Sequence, residues 1–420
     1  MKKKILIFIG IILFCLSYNT KTFAQDAPPT VTAEGAVLMD GTTGELLYEK
    51  NPDKKLAPAS TTKIMTALVA LENSKLDEVV TVGFNPPNIE GSAVGIISGE
   101  TFTVKDLLVG LMLASGNDCA QALAEHVGGT SEAFVKLMNE KAKELGCINT
   151  NFVNPSGLYD ENHYTTPRDL ALILRELIKY DELLKIEKLR YYEMPPTSMD
   201  PNTKWIGNKN ALVLDYANSY YPYAIAGKTG YTVDSKHSYA AAANKDGRIL
   251  ISTMIRGENK NYYFPETKAL LEYGYNNFDL IKLYEKGEEV TDVTIYDKTI
   301  PLLASKDIYT VVKKGEDQEA ARLKSCKVDM SSIGNESFPE GKELLTSSVY
   351  LKDRYVGTLA LISGMSFELP ISATIKDKVF QASPVLIGVI IALILLILLL
   401  FIIRTINLKR RSGRRRNPYK

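Results

Sequence analysis

The chain has few of the residues that cross-link small proteins or hold metal ions. Its 420 residues include 4 cysteines, 3 histidines and 1 tryptophan. Cys15 lies in an apolar N-terminal run, which leaves the odd set Cys119, Cys147 and Cys326; this predicts no disulfide framework, although a Cys119–Cys147 pair stays open. No two histidines have metal-ligand spacing, so we expect no metal site.

The chain also lacks internal repeats and low-complexity tracts, and its formal net charge is only +1. With 45% hydrophobic and 24% charged residues, its composition excludes disordered, collagen-like and coiled-coil classes, and its length suits two or three domains. The near-zero charge gives no reason to expect nucleic acid as a partner. The charge is nevertheless uneven, because residues 1–24 and 404–420 contain basic residues and no acidic ones, so the segment between them is acidic.

The basic N-terminus has the layout of a secretory signal peptide. Three lysines precede an apolar run from Ile5 to Leu16, and Ala24 ends a small-residue cleavage site. The run is too short for a mature membrane anchor. We therefore predict a signal peptide at residues 1–24; the alternative, a lipoprotein modified at Cys15, is disfavoured by the bulky Phe14 before it.

The C-terminal region predicts a membrane anchor. Val385 to Ile403 is nineteen residues without a charge, enough to span a bilayer as a helix, whereas a buried core helix is not normally apolar on every face. The basic residues at 404–420 predict a cytoplasmic tail, since basic flanks stay inside. We therefore expect a single-pass cell-membrane protein with its acidic body outside the cytoplasm, and we disfavour a nucleic-acid patch in the tail.

The body between these ends reads as two domains. Apolar runs at 36–39, 46–48, 239–243 and 249–255 predict strands, and helical periodicity from Ser60 and in the 104–180 region predicts a helical cluster. Within that region Thr166 is predicted to cap a helix that runs to about Tyr180, and a further helix is expected from about Pro265 to Tyr273. We therefore expect an α+β domain at 31–278, with an antiparallel sheet and a cluster of helices. Short β-rich runs between turns predict a small all-β spacer domain at 279–375.

Three motifs carry chemistry. Ser60-Thr61-Thr62-Lys63 opens a buried helix, so a hydroxyl and an amine share one helical face, with Ser60 as a capping hydroxyl near the helix dipole. Ser115-Gly116-Asn117 lies between two predicted helices, and Lys228-Thr229-Gly230 follows an apolar run that predicts a strand. Each motif alone also fits a purely structural interpretation. The first could be a helix cap with a solvated lysine, the second a turn between two helices, and the third a simple turn. Gly227-Lys228-Thr229 also imitates the end of a nucleotide loop, but Pro222 stands where that loop needs glycine.

Their order along one domain-length segment resembles the penicillin-binding and serine β-lactamase superfamily. The stretches 57–63, 113–118, 154–158 and 227–232 are most similar to the low-molecular-mass penicillin-binding proteins, the serine-type D-alanyl-D-alanine carboxypeptidases. The resemblance covers residues 31–278 and, more loosely, the β-rich segment. It implies a β-lactamase/transpeptidase-like fold, no metal and no cofactor.

The resemblance also implies roles for named residues. Ser60 would be the nucleophile, Lys63 the general base and Ser115 a proton relay. Asn117, Lys228, Thr229, Gly230 and Tyr231 would form the substrate-binding set: Asn117 would hold Lys63 and the substrate amide, Lys228 and Thr229 the terminal carboxylate. Gly230 would allow the substrate close to the strand, and the N–H groups of Ser60 and Tyr231 would form the oxyanion hole. The expected partners are D-Ala-D-Ala stem peptides of peptidoglycan, β-lactams as inhibitors and the cytoplasmic membrane.

Several alternatives stay open at this point. A β-lactamase, or a D,D-endopeptidase on the same scaffold, shares this chemistry, while a one-turnover sensor is disfavoured by the short C-terminal tail. His163 resembles a position that the family keeps near the cleft, with or without a catalytic part; we expect His126 to be structural and His237 to lie at the surface. Two departures from the family are the fully apolar anchor and the polar stretch 234–237 after the third motif.

Overall fold

The computed structural model describes residues 27–316, 324–329, 333, 336–370 and 384–414. The predicted signal peptide and residues 415–420 of the predicted tail lie outside these residues. The described chain forms two compact units. The first holds the described residues up to Leu283 together with Tyr309 to Glu316, and the second holds Tyr284–Ile308 and the described residues from Lys324 onward.

The first unit is built on a five-stranded antiparallel sheet in the order β2-β1-β9-β8-β7. Its strands are β1 (Gly35–Asp40), β2 (Leu46–Lys50), β7 (Ala224–Thr232), β8 (Lys236–Lys245) and β9 (Arg248–Gly257). Side chains alternate between the two faces, so Ala36 and Leu38 join one buried cluster while Val37 and Met39 join the other. Both faces are therefore covered.

Helices supply the cover. The cluster that holds Val37 and Met39 lies under α1 (Lys63–Asn73), α2 (Val104–Val109), α3 (Asn117–Gly128), α4 (Ser131–Glu144), α5 (Pro167–Leu177) and α6 (Asp181–Glu187). On the other face, Leu270 and Leu271 of α7 (Lys260–Asn277) pack with Leu38 and Tyr239. The predicted α+β class, an antiparallel sheet with a cluster of helices, is confirmed.

Small hairpins complete the unit, and the sequence analysis did not include them. They are β3 (Val79–Thr81) with β4 (Thr101–Thr103), and β5 (Tyr191–Met194) with β6 (Lys204–Gly207). A further two-stranded sheet pairs β10 (Phe278–Tyr284) with β13 (Ile308–Lys313). The strands β3 to β6 are short and partly exposed, so they lack the long alternating pattern that marks a strand in sequence, whereas β13 coincides with one of the predicted β-rich runs, at 308–312.

Two helix starts differ from the predictions and one agrees. The helix expected from Ser60 begins at Lys63, after a 3₁₀ turn over Ala59–Thr62. The helix expected from Pro265 begins at Lys260, because the Asn259 side chain accepts a hydrogen bond from the N–H of Asn261 and caps it earlier. Thr166 caps α5 as predicted, accepting from the N–H of Asp169 at 3.0 Å.

The second unit contains a five-stranded antiparallel sheet in the order β11-β12-β16-β15-β14. Its strands are β11 (Glu289–Ile295), β12 (Lys298–Ala304), β14 (Lys324–Lys327), β15 (Glu343–Leu351) and β16 (Arg354–Ser363). Ile295, Ile300, Phe338 and Phe367 form a small buried core. The unit is thus all-β apart from the C-terminal helix.

That helix, α8 (Pro384–Arg414), includes a span from Ile387 to Lys409 with a mean hydropathy of 3.2 and no buried side chains. At 1.5 Å per residue its 23 residues exceed the ~30 Å hydrocarbon core of a bilayer. The helix is long and apolar enough to cross a membrane.

Candidate active site

The candidate nucleophile lies on a strained turn. Ser60 is the second residue of the 3₁₀ turn Ala59–Thr62, and Ala59 has a φ of 51°, an uncommon value for a residue with a Cβ. Lys63 follows one turn later, and its Nζ lies 3.0 Å from Ser60 Oγ. The prediction of Ser60 as a helix-capping hydroxyl is therefore wrong, since no side chain caps this turn and the serine oxygen faces the lysine instead.

Lys63 is completely buried, and its amine has two further partners. Nζ donates to Asn117 Oδ1 at 2.7 Å and to the Ser156 carbonyl at 2.6 Å. Burial lowers the pKa of this amine well below its usual value, and the nearby charge of Lys228 lowers it further. A neutral amine has two N–H donors and one lone pair; with both donors occupied, the lone pair is directed to Ser60.

The second motif follows an irregular helix end. After α2 the backbone forms a π-helical turn over Gly110–Ala114, and Ser115 then adopts a left-handed conformation with a φ of 65°. Asn117 opens α3 and is anchored by its N–H to the Ser92 carbonyl and by Nδ2 to the Glu90 carbonyl, each at 2.6 Å. The motif is thus fixed against the segment 90–97, and its amide oxygen is held toward Lys63.

The third motif lies on β7, the outer strand of the sheet, as predicted. A Cβ on Gly230 would lie 2.9 Å from both the Pro58 carbonyl and the Ser60 nitrogen, so only glycine allows the strand this close to the nucleophile. Lys228 is 2% exposed, and burial lowers the pKa of its amine to about 7. Its Nζ donates to the Thr229 carbonyl at 3.1 Å.

The outer edge of β7 is available from Thr229 onward. The N–H of Gly227 points away from β8 to the Glu187 carboxylate, and peptide groups alternate in direction along a strand, so those of Thr229 and Tyr231 also point outward. The Tyr231 side chain itself is 55% exposed and stacks on His237 with ring centroids 4.4 Å apart. His237 is thus half buried against tyrosine, and not simply at the surface as expected.

Contacts that the sequence analysis missed hold the site together. The buried Asp118 carboxylate accepts from the N–H groups of Val94, Gly95 and Ile96, at 2.8–3.3 Å. Lys209 donates from Nζ to the Ala114 carbonyl at 2.6 Å, which places a third cation beside the second motif. These partners are far from the motifs in sequence and carry no local signal.

His163 has a structural place beneath the nucleophile. It is 2% exposed; Nδ1 accepts from the N–H of Val153 at 3.2 Å, so the ring proton is on Nε2 and donates to Thr62 Oγ1 at 2.8 Å. Thr62 Oγ1 in turn donates to the Ala59 carbonyl at 2.8 Å. The histidine therefore supports the strained turn and does not touch Ser60.

The remaining expectations concern thiols, metals and the polar stretch 234–237. Cys119 and Cys147 are both free and buried, so they do not pair. Within the described ranges no cluster of His, Cys, Asp and Glu is arranged to hold a metal ion. In the polar stretch, Asp234 and Ser235 lie in the turn between β7 and β8, whereas Lys236 and His237 begin β8; Ser235 is buried and bonded to Thr232.

Comparisons with known proteins agree with this geometry. Residues 21–259 match the family model described as D-alanyl-D-alanine carboxypeptidase, and residues 278–368 match the penicillin-binding protein 5 C-terminal domain. The chain is 34% identical over 355 residues to D-alanyl-D-alanine carboxypeptidase DacF of Bacillus subtilis, covering 81% of this chain and 88% of that protein. It is 32% identical over 326 residues to DacA of Haemophilus influenzae, covering 74% and 80%.

Among solved structures, penicillin-binding protein 5 of Haemophilus influenzae matches with a TM-score of 0.69 and 28% identity, over 82% of this chain and 99% of that one. The fold, the order of the motifs and the sequence matches lead to one conclusion. The chain belongs to the D-alanyl-D-alanine carboxypeptidase family of serine peptidases, as its sequence predicted.

Proposed function

We propose that this protein removes the terminal D-alanine from peptidoglycan stem peptides through an acyl-enzyme on Ser60. One observation carries the proposal: Ser60 Oγ lies 3.0 Å from the buried Lys63 Nζ, whose two other contacts are both hydrogen-bond acceptors. That arrangement makes the amine a proton acceptor for the serine and nothing else.

In the acylation step, Lys63 Nζ takes the proton of Ser60 as Oγ attacks the carbonyl carbon between the last two D-alanines. The negative charge that develops on the carbonyl oxygen lies between the N–H groups of Ser60 and Tyr231. Ser115, beside Asn117, gives its own proton to the leaving nitrogen and takes the Ser60 proton back from Lys63, so that the C–N bond breaks, D-alanine departs and the Lys63 amine is neutral again. The product is an ester on Ser60.

In deacylation, water attacks the same carbonyl carbon while Lys63 accepts its proton, and that proton returns to Ser60 Oγ as the ester breaks. A β-lactam follows the first step only: its ring amide opens on Ser60, and no leaving group departs. Penicillin labelling therefore reports the acylation chemistry separately from turnover.

Substrate binding uses the two ends of the cleft. Lys228 and Thr229 receive the terminal carboxylate, since an ammonium and a hydroxyl at the outer edge of β7 satisfy an anion. Asn117 uses one Nδ2 proton on Glu90 and Oδ1 on Lys63, which leaves the second Nδ2 proton for a substrate carbonyl. The acyl part then lies along β7 beyond Gly230.

We also propose that α8 anchors the protein in the cytoplasmic membrane, with the catalytic unit outside and the C-terminus inside. The support is the apolar span Ile387–Lys409 followed by basic residues. Protease treatment of intact spheroplasts tests the orientation: the catalytic unit should be digested, while a C-terminal tag should resist until the membrane is opened.

The test of the reaction uses the full chain in detergent. It should release D-alanine from a D-Ala-D-Ala peptide, and mass spectrometry after penicillin treatment should place the adduct on Ser60. Ser60→Ala should abolish both activities, whereas the matched control Ser74→Ala, at the end of α1, should retain them. Rapid nitrocefin turnover would instead indicate a β-lactamase, and cleavage of cross-linked dimers without D-alanine release would indicate an endopeptidase.

A further inference from the structure

A buried glutamate lies next to the carboxylate-binding end of the cleft, and the mechanism above does not use it. Glu187, the last residue of α6, is 2% exposed. Its Oε2 accepts from the N–H of Gly227 at 3.2 Å, on the outer edge of β7 and one residue before Lys228. A carboxylate this deeply buried costs stability unless a nearby charge or hydrogen bonds compensate it.

The compensation at Glu187 is incomplete. Among the described residues its Oε1 has no hydrogen-bond partner, and neither does the nearby amide nitrogen of Asn210. Asn210 is oriented by Tyr239, whose hydroxyl donates to Asn210 Oδ1 at 2.6 Å. A Cβ on Gly227 would come within 2.7 Å of the Tyr239 hydroxyl and 2.9 Å of Asn210 Nδ2, so this polar group packs directly behind the strand.

The charge of Lys228 is the larger part of the remaining compensation. Burial raises the pKa of Glu187 to about 7, and the Gly227 N–H, the Lys228 charge and, least of the three, the Asn210 side chain lower it. Burial likewise lowers the pKa of Lys228, and the Glu187 charge raises it. The other charged or titratable groups facing the pair are Lys209, Lys63 and Tyr239, and none of these is acidic at neutral pH.

Given the proposed function, on which this inference rests, we propose that Glu187 is a positioning residue for recognition of the substrate carboxylate. Its carboxylate fixes β7 at Gly227 and supplies the negative charge that keeps the buried Lys228 amine protonated. At Lys63 the buried acid Asp118 also raises the pKa of the amine, but burial and the Lys228 charge outweigh it and hold that pKa well below its usual value. Glu187 thereby favours the cationic form of Lys228 for binding, while burial favours the free base of Lys63 for catalysis.

Glu187 also limits the part of the outer edge of β7 to which a bound peptide can hydrogen-bond. Because the carboxylate occupies the Gly227 N–H, a peptide lying along this edge finds its next free groups at Thr229. The bound chain must therefore end near Lys228, which favours a terminal carboxylate over a continuing peptide.

The test compares Glu187→Gln with Glu187→Asp in the full chain, and uses Glu193→Gln on the exposed face of β5 as the matched control. The substrates are a D-Ala-D-Ala peptide with a free carboxylate and the same peptide with a C-terminal amide. In the glutamine variant the alkaline limb of kcat/KM for the free acid should move down by about one pH unit, a roughly tenfold loss above that limb. The loss should be mainly in KM, and the preference for acid over amide should shrink.

Glu187→Asp should retain the wild-type alkaline limb even where thermal unfolding shows lower stability, and Glu193→Gln should match the wild type throughout. An unchanged limb and acid preference in a folded Glu187→Gln protein would overturn the inference, as would an aspartate variant that behaves like the glutamine variant. Failure of this inference can be distinguished from failure of the proposed function. The proposed function is tested on the wild-type protein by D-alanine release and the Ser60 adduct, whereas this inference is tested by the Glu187 variants.

Discussion

The histidine beneath the nucleophile gives the protein a specific sensitivity to acid. Burial lowers the pKa of His163 to about 4, because the ring is enclosed and its Nδ1 already accepts the Val153 N–H. The unfolded chain has an ordinary histidine with a pKa of about 6.5. As the pH falls below about 6.5 the unfolded chain binds a proton that the folded chain does not, so stability decreases until the pH reaches about 4.

The size of this effect follows from the two pKa values. Between pH 7.5 and pH 5 the histidine alone should cost about 2 kcal/mol of folding free energy, rising to about 3 kcal/mol below pH 4. In His163→Gln the titrating group is absent, so the variant should lose about 2 kcal/mol less than the wild type over the same range. At pH 7.5 it should be less stable by about 1–2 kcal/mol, since the ring also packs edge-on against Phe152.

The assay is urea unfolding of the full chain at both pH values, followed by a pulse of fluorescent penicillin that labels only the folded catalytic unit. Other groups that titrate in this range are shared by both proteins, and their effects cancel in the comparison. Phe152→Leu is the control, because it removes the packing partner but leaves the histidine and should lower stability equally at both pH values. Equal pH dependence in His163→Gln and the wild type would refute the reasoning.

Three further changes test the site. Lys63→Arg replaces the neutral amine by a guanidinium that stays protonated. Penicillin acylation, measured by stopped flow, should therefore slow by about 10²–10⁴-fold. A rate within about threefold of wild type would exclude Lys63 as the base. Gly157→Ala should lower the free energy of unfolding by at least about 2 kcal/mol, because Gly157 has a φ of 86° and an added Cβ would lie 2.0 Å from the Ala59 carbonyl oxygen. An unchanged melting temperature would contradict this. Asp118→Asn replaces one of the two carboxylate oxygens that accept from three N–H groups by an NH2 group and removes the negative charge, so limited proteolysis should cut within residues 90–97 faster than in the wild type. Protection equal to wild type would count against that anchoring role.

Much of the site follows from residues that are close together in sequence. Ser60 and Lys63 share one turn whether that turn is α or 3₁₀, so their pairing could be predicted although the helix start was wrong. The strand that carries Lys228 was visible as an apolar run before the motif. These features depend on local periodicity, which a single sequence displays.

The unpredicted part depends on contacts between distant segments. Lys63 donates to the Ser156 carbonyl, 93 positions away in sequence. Every residue has a backbone carbonyl, so the residue type does not indicate which one accepts this hydrogen bond. Glu187 was not singled out from the sequence, since its burial follows from how α6 packs and not from its neighbours in sequence. The π-helical turn before Ser115 likewise has no sequence pattern of its own.

The same distant contacts explain why the strained turn at Ala59 persists. Gly230 of β7 lies against the Ser60 nitrogen, Gly157 lies against the Ala59 carbonyl, and the Thr62 hydroxyl joins that carbonyl to His163. The turn cannot relax without moving the loop at Gly157, and the preceding residue of that loop supplies the carbonyl that holds the Lys63 amine. Strain at Ser60 and orientation of the Lys63 amine are therefore one structural feature, so a change that loosens the turn should impair the proposed proton transfer even where Ser60 and Lys63 are both intact.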